Sequence, residues 1–434
     1  MLSTKQIVSI LLLFIFLALI FTVVRNSIFG VVDEEKHIYF EIAFLLLLAV
    51  AGELAVIHLK QPSVMILMIL GILLSPSFMS YFWGFALDIV TALQLPIQLP
   101  VEPPHILRLE EIIHVFAQLG AVILLFKVGL HNKIEQIFAI DNLVVASLGV
   151  VVPFVVGFIF ASFTGGSFAY SMFLGAALTA TSVGVTVAIL KDFGLLEKRF
   201  SQIIIGAAVI DDILSLIVLS LVINVSAGGD LIIPTLYTIV SAVVFIAGGV
   251  IAGNYFIQYL DRKAMSPRRF ISVLAFMLLY SYLAEYIHLS AIVGAFIAGM
   301  VLTKSKHLSE IEDKTYGLEL LFMPIFFISL GIMFDISALF NSMVPILIIT
   351  ILAVLSKVIP CALGGLLAKL PKKDSLVIGF GMVPRGEVAL IVAAIGLSTN
   401  VIDSVQYSII SAVALLTTFI IPPILAHLLK SEKK

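Results

Sequence analysis

The sequence predicts an all-α polytopic membrane protein, and three observations lead there. Of its 434 residues, 61% are hydrophobic and only 12% charged, against about 45–50% and about 25% in ordinary soluble domains, so most of the surface must face lipid. Apolar runs long enough to cross a hydrocarbon core as helices, roughly 17–25 residues, recur from Ile7 to Leu429 with short polar joints between them. The short alternating strands of a β-barrel, the other architecture able to span a bilayer, do not match this pattern. A net charge of −2 with no basic block gives no reason to expect nucleic-acid binding. The one cysteine, Cys361, excludes an intramolecular disulfide, and no Cys/His cluster has zinc-ligand spacing.

Fourteen spans are expected, beginning with 7–24, 38–58 and 62–77. The first follows Lys5 and resembles the start of a cleaved signal. Its length and the lack of a small-residue cleavage site after Val24 favour a retained helix. The stretch 78–109, with Trp83, Asp88, Pro96, Pro100, Pro103 and Pro104, reads as an extramembrane excursion carrying an interfacial helix. Further spans follow at 110–130, 141–163, 168–190, 201–225, 231–259, 270–287 and 289–304, then at 318–334, 340–368, 375–397 and 404–429. With a cytoplasmic N-terminus, 19 of the 25 Lys and Arg residues fall on the cytoplasmic side and only Arg25, Lys36 and Arg108 outside. That asymmetry fits the positive-inside rule, which a wrong count would scramble. It also places the C-terminus in the cytoplasm.

The chain echoes itself. ELAVIHLKQPSVMILMILGILL from Glu53 and AEYIHLSAIVGAFIAGMVL from Ala284 share IHL followed by an apolar helix with a late glycine, and LLFKVGL ending at Leu130 is echoed by FFISLGI ending at Ile332. Seven crossings separate the copies, so they run in opposite membrane orientations, and inverted repeats place a substrate site near mid-membrane. The division expected is 1–30 as an extra N-terminal helix or signal-like segment, a first repeat at 38–225, a linker helix at 231–259, a second repeat at 270–429, and a cytoplasmic tail at 430–434.

A charge at the centre of a spanning helix costs on the order of 2.5–3.5 kcal/mol on insertion scales, so each one needs a reason. Asp211 and Asp212, in GAAVIDDILSLIVLSLV, lie near the middle of their span. Desolvation and mutual repulsion oppose their joint ionisation, and they should titrate as a coupled pair. Such a pair suits a site holding either a proton or a hard cation. Lys357, in LAVLSKVIPCALGG, lies too deep to reach the cytoplasmic helix end. It is a counter-charge for one aspartate or neutralises the C-terminal ends of interrupted helices.

Two helices look breakable. One contains Thr179, Thr181, Ser182, Gly184 and Thr186, mediocre helix formers in series. The other carries Pro384 between Gly381 and Gly386. Unwinding would turn carbonyls and helix ends toward an ion, with Thr181 and Ser182 adding hydroxyl ligands, although Ser and Thr also serve ordinary helix contacts in membranes. Arg385 and Glu387 sit beside the second break, where an ion pair between them requires irregular backbone. Glu53 and Glu285 read as interfacial or structural. His131 and His307 lie in cytoplasmic joints, as loop residues or a pH sensor.

In order along the chain, LLFKVGL, LTATSVGVTVAILKDFG, GAAVIDDILSLIVL, LSAIVGAFIAGMVL, PIFFISLGIMFDI, LSKVIP and MVPRGEVALIVA resemble the monovalent cation:proton antiporters of the second major branch, particularly the NapA/GerN-like Na+/H+ antiporters. The resemblance implies a sodium/hydrogen exchanger transmembrane domain over 37–429. Its inverted-repeat fold would have 13 core transmembrane helices, with crossed discontinuous helices in a core domain beside a dimerisation domain. It further implies Na+ at Asp212 with Asp211, Thr181 and Ser182, and Asp211 as partner of Lys357; Thr179, Arg385 and Glu387, beside the two breaks, are candidate supporting residues. It implies a homodimer in the lipid of the cell membrane, with no cofactor and no enzymatic activity, exchanging Na+ (Li+) for H+ by alternating access. Electrogenic exchange of two protons per Na+ is expected. A K+/H+ antiporter or K+ efflux protein of the same fold, and a non-transporting sensor or channel subunit, are the alternatives; the missing nucleotide-binding domain argues against ligand-gated K+ efflux.

Overall fold

The computed structural model describes Thr22 and residues 34–59, 62–94, 100–103, 110–132, 137, 139–226, 232–287 and 289–430. The expected first span at 7–24 therefore lies almost wholly outside the described residues, as do the side chains of Glu53 and Glu387. Every regular element among the described residues is a helix.

The first half contains α1 (Glu34–Leu59), α2 (Ser63–Leu74), α3 (Pro76–Ala92), α4 (Glu110–Gly129), α5 (Ile140–Phe163), α6 (Phe168–Thr179), α7 (Val183–Asp192) and α8 (Arg199–Ser226). After α9 (Ile232–Leu260) come α10 (Pro267–Tyr286), α11 (Ala291–Leu302), α12 (Leu308–Ile332), α13 (Ile336–Asn341), α14 (Met343–Leu367), α15 (Lys372–Gly381), α16 (Glu387–Ser398) and α17 (Ser404–Leu429). Each expected span from 38 onward contains a helix or a broken pair. Eight of these segments are long and apolar enough to cross a membrane, and α2 with α3 forms a ninth candidate bent by 57°. Helix α3 runs into the expected excursion as far as Ala92, and α12 starts ten residues before the expected 318.

Polar caps define many of the ends. Ser167 starts α6 by accepting from the Tyr170 N–H, and Ser266 with Pro267 starts α10. Asp403 and Gln406 close a reciprocal capping box on α17, satisfying N–H groups that the first turn leaves without partners.

Two helix groups emerge from the packing. One holds α5, the α6/α7 pair, α8, α14, the α15/α16 pair and α17; the other holds α1, α2, α4, α10, α11 and α12. The long helix α9 packs on α8 of the first group and on α10 and α11 of the second, and α7 and α17 meet α2 and α4 along the boundary. Within the second group, α2 crosses α12 at Gly71 and Gly331, and α4 crosses α11 at Gly129 and Gly299. A Cβ on Gly71 would lie 2.1 Å from the Ile328 carbonyl oxygen, and one on Gly299 would lie 2.1 Å from that of Phe126, so only glycine permits these approaches. Each crossing joins one glycine of the first sequence echo to one of the second. Exchanging the echoes turns one crossing into the other.

Candidate functional site

Asp211 and Asp212 are neighbours on α8, and consecutive residues on a helix point about 100° apart. The structure separates them accordingly. Asp211 is fully buried against α14, whereas Asp212 retains 8% exposure and lines a cavity between the two helix groups. The expectation that both carboxylates serve one ion site therefore resolves into two environments.

Lys357 of α14 is fully buried. Its ammonium donates to Asp211 Oδ1 at 2.9 Å, the Gly149 carbonyl at 2.7 Å and the Thr179 carbonyl at 2.5 Å, which accounts for all three of its donors. Both carbonyls are available for sequence reasons. Gly149 would normally accept from residue 153, but that residue is Pro153, inside α5, and proline has no N–H. Thr179 ends α6, where the helix stops at Ala180. Lys357 thus plays both roles open to it from sequence, counter-charge for Asp211 and cap for a broken helix.

Residues 180–182 interrupt α6/α7, and 382–386 interrupt α15/α16. The two breaks meet. Ser182 donates its N–H to the Pro384 carbonyl at 2.7 Å, the Thr181 hydroxyl donates to the Met382 carbonyl at 3.3 Å, and Thr186 donates to that of Gly381 at 2.7 Å. Gly386 lies close enough to Ser182 that a Cβ would sit 2.8 Å from its Oγ. With the Ser182 N–H turned aside, the Leu178 carbonyl accepts instead from Arg385 Nε and Nη2 at 3.3 and 2.9 Å.

Arg385 also donates to the carbonyls of Ala353 and Val383, and the Thr418 hydroxyl donates to the Arg385 carbonyl. The guanidinium bonds tie the Leu178 carbonyl at the end of α6 to that of Ala353 on α14. Any pairing with Glu387 falls outside the described residues. Thr179 offers its carbonyl to Lys357, while its hydroxyl bonds the Ala176 carbonyl and the Ser215 hydroxyl.

The cavity beside the breaks is lined by Thr181, Ser182, Asp212 and Ser290 on its polar side and by Leu125, Ile205 and Phe296 among its apolar walls. Its volume of about 40 Å³ exceeds what one water needs. The Ser290 N–H donates to Asp212 Oδ2 at 3.3 Å. A second pocket, lined by Asn132, Asp141, Asn142, Arg199 and Gln202, shares Ile205 and Phe296 with the first as a common wall. Among the described residues, no group of three or more His, Cys, Asp and Glu side chains forms a metal site.

Two features lay beyond sequence reasoning. Ser290 was hidden because only the fold brings the start of α11 to Asp212. Glu319 of α12 is buried and receives both Lys127 and Lys191, joining α12 to α4 and α7. Lys127, a charge within an apolar run, signals the need for a partner, but nothing in the sequence names Glu319 as that partner. His131 lies 3.5 Å from Glu312, and His307 bonds Glu310 and the Lys263 carbonyl, contacts that suffice for loop residues.

Comparisons with known proteins agree with this architecture. The chain is 31% identical over 408 residues to GerN of Bacillus cereus, named a Na(+)/H(+)-K(+) antiporter, covering 92% of this chain and 98% of that one. It is 33% identical over 337 residues to NhaS3 of Synechocystis, named a high-affinity Na(+)/H(+) antiporter, covering 75% and 73%. The solved structure of MjNhaP1 from Methanocaldococcus jannaschii, described as a sodium proton antiporter, superposes with a TM-score of 0.63 over 91% of this chain and 98% of its own, at 18% identity. The family described as sodium/hydrogen exchanger, transmembrane, matches residues 42–431, and the chain belongs to that family.

Proposed function

We propose that the chain is a secondary active antiporter that exchanges Na+ (or Li+) for H+ across the cell membrane by alternating access. Asp212 is its ion-binding carboxylate, with Thr181 and Ser182 as neutral oxygen ligands. The observation that carries this reading is the placement of one ionisable side chain, Asp212, in a small cavity where two helix breaks meet. An alkali ion takes oxygen ligands and competes with the proton for the same carboxylate. The Asp211–Lys357 pair beside it balances the buried charge, with Arg385 holding the broken helix end.

The repeats at 38–225 and 270–429, opposed across the linker helix at 231–259, are supported by the two equivalent glycine crossings. In this reading the group containing α8 and α14 is the core domain that carries the site. The group containing α2, α4, α11 and α12 is the dimerisation domain of a homodimer. The positive charge asymmetry supports a cytoplasmic C-terminus, and the names of GerN and NhaS3 support Na+ as the cation. Exchange of two protons per Na+ moves net charge, coupled to about 2.3 kcal/mol per 100 mV; a flat response to imposed voltage in proteoliposomes rules that stoichiometry out.

Everted membrane vesicles test the function. Adding Na+ or Li+ to vesicles with an established pH gradient should collapse the gradient in the wild type and leave it intact with Asp212→Asn. A collapse by K+ alone would move the substrate to K+, and no collapse by any of the three would remove the antiporter reading.

A further inference from the structure

Resting on Asp212 as the ion site, we propose that the N-terminus of α11 is a docking point for the ionised, unloaded Asp212, and that this contact prevents the empty charged carrier from crossing and so enforces coupling. The Ser290 N–H donates to Asp212 Oδ2 at 3.3 Å and spans the boundary between the two helix groups. The Ser290 hydroxyl is turned instead to the Ile292 N–H, capping α11. Asp212 is thus presented to the positive end of a 12-residue helix, where a carboxylate is favoured.

Ser290 and Asp212 also line the same cavity as Thr181 and Ser182, so the contact forms one edge of the ion site. Asp212 is the one titratable side chain among the described lining residues of that cavity.

The consequence follows from charge. An ionised carboxylate makes a bond roughly twice as strong as a neutral one makes. Binding a proton or Na+ neutralises Asp212 and loosens its hold on α11, freeing the loaded group to move. An empty, ionised Asp212 stays docked. Without this hold, the unprotonated carrier would return empty after releasing Na+, and exchange would degrade into Na+ uniport.

The geometry offers a specific probe. Ser290 has φ −63°, the value proline requires, so Ser290→Pro removes the N–H at a helix start that tolerates proline. Ser290→Ala removes the hydroxyl and keeps the N–H. In proteoliposomes clamped at zero potential, Na+ uptake and the accompanying internal proton loss are measured together. Ser290→Ala, which keeps the N–H, should retain a protons-per-Na+ ratio well above that of Ser290→Pro. Ser290→Pro should show uncoupled Na+ uptake raised on the order of tenfold, the equivalent of one lost hydrogen bond to a charged group, with the ratio falling accordingly. An unchanged ratio in Ser290→Pro overturns the proposal.

Should that variant not reconstitute, hydrogen exchange at the Ser290 amide of the wild type decides. Exchange should be slower without Na+ than with saturating Na+, a difference that vanishes in Asp212→Asn; equal exchange in the wild type overturns the docking. Absence of Na+-driven proton movement in the wild type would instead sink the antiporter reading itself.

Discussion

At the scale of single residues, the site is an arrangement of carbonyls that the sequence has stripped of their helical donors. Pro153 releases the Gly149 carbonyl and the break at 180–182 releases those of Leu178 and Thr179; Lys357 and Arg385 collect them. Breaking a buried ion pair by removing one partner costs about 3–5 kcal/mol. Lys357→Met should therefore lower the melting temperature of detergent-purified protein markedly, because it strands Asp211, whereas the double variant with Asp211→Asn should recover most of the loss. A double variant no more stable than Lys357→Met would show that the pair is not what Lys357 stabilises. Glu319→Gln should weaken the hold between α12 and the ends of α4 and α7, since it leaves Lys127 and Lys191 without their shared carboxylate. Limited proteolysis near residues 191–199 reports this as faster cleavage, and an unchanged rate would place the cluster outside that joint. Lys357 could be recognised from sequence by its depth in an apolar run. Glu319 could not, because its lysines come from helices far away in the chain.

At the scale of helices, the interruptions were legible because their causes are local. Thr181, Ser182 and Gly184 in one helix, and Pro384 and Gly386 in the other, are residues that give up helical bonds at low cost. Which groups would receive the released backbone was not legible, since Ser182 meets Pro384 only through the fold. Arg385 illustrates the limit: nothing in its sequence neighbourhood announces that it donates to carbonyls of α6 and α14. The glycine crossings make a separate demand on elements. A methyl group at Gly129 would lie 2.2 Å from the Phe296 carbonyl oxygen, so Gly129→Ala must push α4 from α11, and overpacking of this kind costs typically about 1–3 kcal/mol. The matching substitution Gly331→Ala, 2.2 Å from the Met68 carbonyl oxygen, should destabilise comparably in thermal unfolding. One variant tolerated and the other disruptive would count against equivalent crossings.

For the whole molecule, composition and run length were enough to announce a helical membrane fold, while the helix crossings at the echoed glycines emerged only in the structure. The meeting of α8 with α11 at Asp212 and Ser290 required the assembled structure. The antiporter reading makes a thermodynamic demand on the assembly: if Na+ displaces protons, its apparent affinity must rise with pH while the site is mainly protonated. One displaced proton gives about tenfold per pH unit, and two give about a hundredfold. Initial rates of Na+-driven exchange measured from acid to neutral pH provide that slope.

The most direct measurement is proton release from purified protein in weakly buffered detergent solution as Na+ is added. The wild type should acidify the medium with a saturable dependence on Na+, and Asp212→Asn should release none. Saturable Na+ binding without proton release, or release that survives Asp212→Asn, would contradict a single carboxylate held in turn by proton and alkali ion.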